Sequence, residues 1–178
     1  MKAMKVLDAI AEAISLVTAV LACITLALMA IHVSTDILVR YVTKISLGAT
    51  LEIGTYYYMV SVAFLGLARA QRDGQHITVD IVAELLPRRA AEILTLGANV
   101  VFAAFVAIYL YASFLSAVAN TRTGEYTIAA RFLMPVWPAR WILCVSLLSL
   151  LIVLIVQIVK QSILLGRNRS PDLQREAH

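Results

Sequence analysis

Residues 72–80 carry the densest group of chemically capable side chains in this sequence. They read Arg-Asp-Gly-Gln-His-Ile-Thr-Val-Asp, which places Arg72, His76 and Asp80 four residues apart. Residues with that spacing are neighbours on a helix, so the imidazole and the carboxylate can hydrogen-bond each other. The guanidinium offers a planar fork that binds a carboxylate through two hydrogen bonds. The pattern therefore indicates either a fixed local structure or a contact site for another protein.

Two interpretations of this polar segment stay open. Charged connectors are usually solvated, which would make it a simple linker between apolar stretches. Its compactness favours a docking surface instead. Ile77, Ile81 and Leu85 recur at helical spacing, and Pro87 ends the pattern. We therefore predict a short amphipathic helix over about residues 74–86 that lies in the membrane interface.

The stretches on either side of this segment are suited to lipid. The mean hydropathy is +0.86 and 61% of the residues are hydrophobic, which leaves too little polar surface for a soluble globule. Four long runs lack charged residues: 13–31, 53–68, 93–121 and 141–159. A run of 19 residues spans about 28 Å as a helix, close to the ~30 Å hydrocarbon core of a bilayer. The sequence therefore predicts an all-α integral membrane protein with four transmembrane helices.

The distribution of basic residues predicts the topology. With interfacial residues added, the expected helices cover about 6–39, 50–71, 88–119 and 138–163, followed by a tail over 167–178, in one membrane domain of residues 1–178. Ten Lys and Arg residues fall on the side of the termini and five on the other side. Basic flanks are retained in the cytoplasm, so both termini are predicted to be cytoplasmic.

Several charged residues near the predicted spans have structural explanations. Asp36 and Arg40 are one helical turn apart and are expected to pair, and His32 on the same face is expected to be a hydrogen-bonded structural residue. Asp8 and Glu12 favour the start of the first helix through the helix dipole and need no functional explanation.

The short motifs of this chain come in a distinctive order. They are Arg-Tyr at 40–41, Leu-Glu-Ile-Gly at 51–54, Phe-Leu-Gly at 64–66, Arg-x-x-x-His-Ile-x-Val-Asp at 72–80, Leu-Pro at 86–87 and Pro-Val-Trp at 135–137. This order resembles the DctQ-like small membrane subunit of tripartite ATP-independent periplasmic (TRAP) transporters. The resemblance covers nearly the whole chain, and four spans with both termini inside also match that family.

The resemblance implies a scaffold beside a large membrane subunit in the bacterial inner membrane. In that family the large subunit carries substrate and sodium, and a soluble periplasmic protein delivers the substrate, here expected to be an organic acid. The resemblance implies partner or assembly contacts at these residues: Glu52, Gly66, Arg72, His76 and Asp80.

Two periplasmic stretches, residues 40–52 and 120–140, are long enough to help receive the binding protein. Arg122, Glu125 and Arg131 are the charged side chains expected to contact it, because charge complementarity steers such docking. Membrane lipid is a further expected partner, and nothing in the sequence resembles a nucleic-acid module.

Two rival functions remain for testing. A small proton-coupled exporter would use one membrane carboxylate, Glu12 or Asp36, but both lie near helix ends. A membrane-anchor subunit of a redox complex would hold haem between two histidines, and only His32 falls in a predicted span. No nucleophile and base pair or metal-ligand set falls at membrane depth, so we expect no enzyme activity, cofactor or metal.

Overall fold

The structure is a computed structural model that describes residues 2–45, 48, 50–73, 87–129 and 132–168. Within these ranges, four helices are long and apolar enough to cross a membrane, which confirms the predicted four-span class. The interfacial helix expected over 74–86 lies outside the described residues, as do His76, Asp80, Arg131 and the tail from residue 169 onward.

The helices extend beyond the charge-free runs of the sequence. Helix α1 covers Lys2–Thr43, α2 covers Thr50–Arg72, α3 covers Arg88–Thr123 and α4 covers Trp137–Asn168. With 42 residues, α1 is about 63 Å long at ~1.5 Å per residue, roughly twice the ~30 Å hydrocarbon core. It begins four residues before the expected start and ends four residues after the expected end.

Helix α2 is irregular near its start. It consists of α-helix Thr50–Ile53, π-helix Gly54–Met59, and α-helices Val60–Leu65 and Leu67–Arg72, with a turn at Gly66. A π segment holds more residues per turn than an α-helix and is often found at functional sites. Here it carries three consecutive tyrosines, 56–58.

A short β-hairpin connects α3 and α4 and was not expected from the sequence. Gly124 ends α3 in the left-handed conformation with φ 64°, which glycine adopts without a steric penalty. Strand β1, Tyr126–Ala129, then pairs antiparallel with β2, Phe132–Pro135, so that Tyr126 lies opposite Pro135. The hairpin pairs its own backbone groups and turns the chain back toward α4.

Helix α4 is the centre of the packing. It contacts α1, α2 and α3, whereas α3 packs mainly against α4. Val106 of α3 packs with Leu147, Leu150 and Leu154 of α4, and a second cluster joins small or branched residues of α1, α2 and α4. In the apolar 18-residue segment of α4, 44% of the residues are buried, against 6% in the corresponding segment of α3. Much of the apolar surface of α1 and α3 therefore faces outward.

Candidate functional site

The polar side chains gather at the two opposite ends of the bundle. We call the end formed by residues 2–12, 67–73 and 157–168 the terminal end, because it holds both ends of the described chain. The opposite end, with the hairpin of residues 126–135, is the hairpin end.

At the terminal end, the first helix supplies carboxylates to the last turn of the second. The Arg72 Nη2 atom lies 3.2 Å from Asp8 Oδ1, and its Nε atom is paired with Glu12. Lys160 of α4 also binds Asp8, with 2.8 Å between Nζ and Oδ2. Asp8 and Glu12 can share these partners because they are one turn apart on the same face of α1. The three helices are thus tied together by two carboxylates.

Arg69 extends this group along the same face of α2. Its Nη1 atom lies 3.1 Å from Glu12, and its Nε atom lies 2.9 Å from Asp73. We call the whole set the carboxylate clamp; its members are Asp8, Glu12, Arg69, Arg72, Asp73 and Lys160. Three acidic and three basic groups make the clamp neutral. Exposed ion pairs contribute only about 0–1 kcal/mol each to stability, so the clamp stabilises the bundle mainly as a network of several charges.

A layer of side-chain amides adjoins the clamp. Gln71 Nε2 donates to Gln157 Oε1 at 2.7 Å and lies 3.4 Å from Asn99 Oδ1. Asn99 Nδ2 donates to Gln161 Oε1 at 3.1 Å, and Gln157 Nε2 donates to the Gln71 carbonyl at 3.0 Å. Gln71 is buried. These four residues, the amide layer, join α2, α3 and α4 by hydrogen bonds.

At the hairpin end, Arg140 of α4 binds the residue that precedes the hairpin. Its guanidinium donates to both carboxylate oxygens of Glu125, at 2.6 and 2.7 Å, and to Ser116 Oγ at 3.0 Å. The hydrogen bonds from Arg140 hold the pKa of Glu125 below its usual value of 4.5, against the opposing effect of burial. The backbone N–H of Val136 also donates to the Glu125 carbonyl at 2.9 Å. Glu125 therefore fixes both the entry and the exit of the hairpin.

The hairpin also rests on the start of α2. Tyr57 donates its hydroxyl hydrogen to the Pro135 carbonyl at 2.7 Å. Met134 is buried against Ile53, Tyr56 and Tyr57. Two tyrosines of the π segment, Tyr56 and Tyr57, therefore contact the hairpin, which links the two halves of the chain at this end.

The structure brings together only part of the expected assembly set. Arg72 has intramolecular partners, Glu52 lies half-buried in the first turn of α2, and Gly66 occupies the turn within α2. His76 and Asp80 are outside the described residues, so their expected contact with Arg72 stays a prediction.

The expected set at the other end is similarly divided. Arg122 is exposed in the last turn of α3, whereas Glu125 is bound by Arg140, and Arg131 is outside the described residues. Of the two members that the structure describes, Arg122 is the more exposed one.

Charged residues of α1 form ion pairs or hydrogen bonds within the chain. Asp8 and Glu12, which were expected to favour the start of α1, also bind Arg72, a structural contact between helices that the sequence did not indicate. The pair between Asp36 and Arg40 is confirmed at 2.8 Å. The expected hydrogen bond of His32 is also confirmed, with Nδ1 3.2 Å from the Tyr58 hydroxyl.

Sequence reasoning missed the amide layer altogether. Its signal is the presence of Gln71, Asn99, Gln157 and Gln161 at the ends of apolar helices, where an unpaired amide would be costly. In the part of the chain that the structure describes, no three His, Cys, Asp or Glu side chains are grouped as metal ligands.

Comparison with known proteins gives one match. Residues 29–163, about three quarters of the chain, match the family described as "Tripartite ATP-independent periplasmic transporters, DctQ component". The matched range includes Arg72 and the hairpin but begins after Asp8 and Glu12. No curated protein and no solved structure matches the chain.

Proposed function

The chain belongs to the family of DctQ components of TRAP transporters, and from that premise we propose that it is a scaffold for a large transport subunit. In this proposal it supports sodium-driven uptake of an organic acid delivered by a periplasmic binding protein. It acts in the bacterial inner membrane, with the terminal end in the cytoplasm and the hairpin end in the periplasm.

The observation that carries the scaffold role is the uneven burial of the four helices. Among the described residues, 44% of those in the apolar segment of α4 are buried, against 6% in that of α3, which packs mainly against one neighbour. Helices in lipid associate through close packing of such faces. The outward faces of α1 and α3 are therefore suited to contact another membrane subunit.

The membrane-depth part of the described chain supports the same role. Two buried serines of α4 bond to their own helix there: Ser146 donates to the Ile142 carbonyl, and Ser149 to the Val145 carbonyl, both at 2.8 Å. Secondary transporters instead use broken helices that release backbone groups at the midplane. Glu12 and Asp36, the carboxylates considered for proton coupling, are both ion-paired.

The two ends have different partners in this proposal. At the terminal end, the clamp fixes Asp73, from which residues 74–86 continue, so that Arg72, His76 and Asp80 contribute to assembly with the large subunit. Glu52 and Gly66 contact that subunit along α2. At the hairpin end, Arg122 contributes to docking of the binding protein, with Glu125 shaping the loop.

Reconstitution tests the proposed function directly. The chain, the large subunit and the binding protein are placed in sodium-loaded and sodium-free proteoliposomes, in every combination. We expect uptake of an organic acid only when all three are present with an inward sodium gradient. Transport by this chain alone would contradict the scaffold role, and so would full uptake by the other two components without it.

A further inference from the structure

A cavity of about 490 Å³ lies between α1 and the first turns of α2 at the hairpin end. This volume falls within the roughly 300–1,000 Å³ typical of small-molecule sites. Along α1, Arg40 lies about 16 Å beyond Met29, at ~1.5 Å per residue, and on α2 Glu52 precedes Met59 by about two turns. All four line the cavity. Its charged walls are therefore nearer the helix ends and its apolar walls lie deeper in the membrane region.

The charged wall holds groups of both signs. The Asp36 side chain is 4% exposed and accepts a 2.8 Å hydrogen bond from Arg40 Nη2. The Arg40 side chain is 58% exposed and lines the cavity, so its guanidinium places a positive charge on this wall. Glu52, in the first turn of α2, supplies a carboxylate on the opposite helix. This arrangement complements a ligand that carries a positive and a negative charge.

An unsatisfied hydroxyl adds to the charged wall. Thr50 also lines the cavity, and its Oγ1 atom is buried without a hydrogen-bond partner among the described residues. Buried polar atoms are almost always hydrogen-bonded, so such an atom indicates that a ligand or water supplies the missing bond.

The glycine at the start of the π segment leaves space in the same cavity. Gly54 lines it, and a Cβ atom added there would meet no other atom within 4 Å. A glycine within a helix is less favourable than alanine, and nothing steric requires it here. A larger residue at position 54 would extend into the unfilled volume, which provides a direct way to block the cavity.

We propose that this cavity binds one phospholipid with a zwitterionic, amine-bearing headgroup, such as phosphatidylethanolamine. Arg40 binds the phosphate, Glu52 binds the ammonium group, and Thr50 donates to a phosphate or ester oxygen. An acyl chain lies along Met29 and Met59. The proposal does not depend on the transport role of the protein.

Charge and depth favour this ligand over other lipids. An anionic headgroup without an amine would place its negative charge near Asp36 and Glu52, and Arg40 is the basic residue among the described lining residues. The nearby Tyr41 and Tyr56 mark the level at which aromatic side chains meet lipid headgroups. A soluble zwitterion would leave the deeper apolar wall uncovered.

Photo-crosslinking tests the site in the full-length chain in lipid nanodiscs. The probe is phosphatidylethanolamine with a photoactivatable group on one acyl chain, and labelled peptides are located by mass spectrometry. We expect labelling at Met29, Val33 and Met59. Gly54→Leu should reduce it by about tenfold, because the new side chain fills the cavity. Gly97→Leu is the matched control, since an added Cβ on that helical glycine also meets nothing within 4 Å.

Headgroup variants keep the proposal testable if Gly54→Leu disturbs folding. Arg40→Gln and Glu52→Gln should each lower labelling about tenfold by removing a charge-assisted hydrogen bond. An excess of phosphatidylglycerol or of free phosphoethanolamine should leave wild-type labelling unchanged.

Three results would overturn this assignment. They are labelling that is equal in wild type and all three variants, displacement by either competitor, and loss of labelling when the large subunit is added. The last result would show that a side chain of that subunit occupies the cavity.

Discussion

The two ends of the bundle hold their polar side chains together in different ways. At the terminal end, partners come from helices that are far apart in sequence: Arg72 binds Asp8, 64 residues away, and Gln71 binds Gln157, 86 residues away. At the hairpin end, Arg140 binds Glu125, which is only 15 residues away. Among the described residues, the hydrogen bond there between the positions farthest apart in sequence runs from Tyr57 to Pro135, 78 residues away, and it is accompanied by the packing around Met134.

This difference assigns different structural roles to the two ends. Contacts between distant helices determine which helices are neighbours and in what register, as buried polar residues do in other helix bundles. Local contacts determine the shape of one connection. We therefore expect substitutions at the terminal end to loosen the whole bundle, and substitutions at the hairpin end to change the hairpin while the helices stay packed.

The largest effect is expected for Gln71→Ala. Gln71 is buried, and its loss leaves Gln157 Oε1 and Asn99 Oδ1 without the donor that Gln71 Nε2 supplies, at a cost of about 1–3 kcal/mol. Thermal unfolding in nanodiscs, followed by circular dichroism, should show a lower midpoint. Ser162→Ala is the control, because Ser162 is exposed and bonds only to its own helix through the Ile158 carbonyl. Equal midpoints for the two variants would show that the amide layer does not hold the helices of the terminal end together.

Arg72→Ala should have the next largest effect. It removes two of the ion pairs that join α1 to α2, and its side chain is 20% exposed, so solvent screening limits the cost to about 1–2 kcal/mol. Arg72→Lys keeps the charge but not the fork, and should recover only part of the stability. A cysteine cross-link between the start of α1 and the end of α2 should form less readily in Arg72→Ala than in wild type. An unchanged cross-linking rate would contradict the clamp.

The sequence predicts the spans well and the partners of the terminal end poorly, for a physical reason. Apolar runs such as 13–31 and 141–159 must be helical in lipid because their backbone groups have no water to bind. The pairing of Arg72 with Asp8 depends instead on which helices are neighbours, and no pattern within one stretch of the sequence indicates which helices those are. Asp36 and Arg40 were predictable because their contact is within one helix.

The hairpin illustrates the same limit at the other end. Its strands have four residues each, and no Gly, Asn or Asp stands between them to indicate a tight turn. Only Gly124 gives a local signal, and that signal ends α3 without predicting strands. The bond from Glu125 to Arg140 and the contact with Tyr57 stabilise the hairpin in three dimensions.

At the hairpin end, Arg140→Ala should have a smaller and local effect, about 0.5–1 kcal/mol, because both partners are partly exposed. The pKa of Glu125 is lowered in the folded state, so its contribution is complete above about pH 4.5 and is lost as the pH falls through the folded pKa. Fluorescence of the neighbouring Trp141 should report this loss in wild type. The transition should be absent in Arg140→Ala and retained in the control Arg122→Ala.

The smallest effect on the chain itself is expected for Gly66→Ala, and it separates internal packing from partner contact. Gly66 has right-handed helical angles, φ −73° and ψ −20°, and a Cβ atom there would lie 3.7 Å from the Val62 carbonyl, an ordinary contact. Alanine is a better helix former than glycine, so the free energy of unfolding should stay equal or rise, by at most about 1 kcal/mol. If Gly66 allows close approach of the large subunit, co-purification of that subunit should nevertheless fall, since close helix contacts require small residues. Unchanged stability with reduced co-purification would assign Gly66 to the interface, whereas unchanged co-purification would restrict the role of α2 in assembly to its two polar ends.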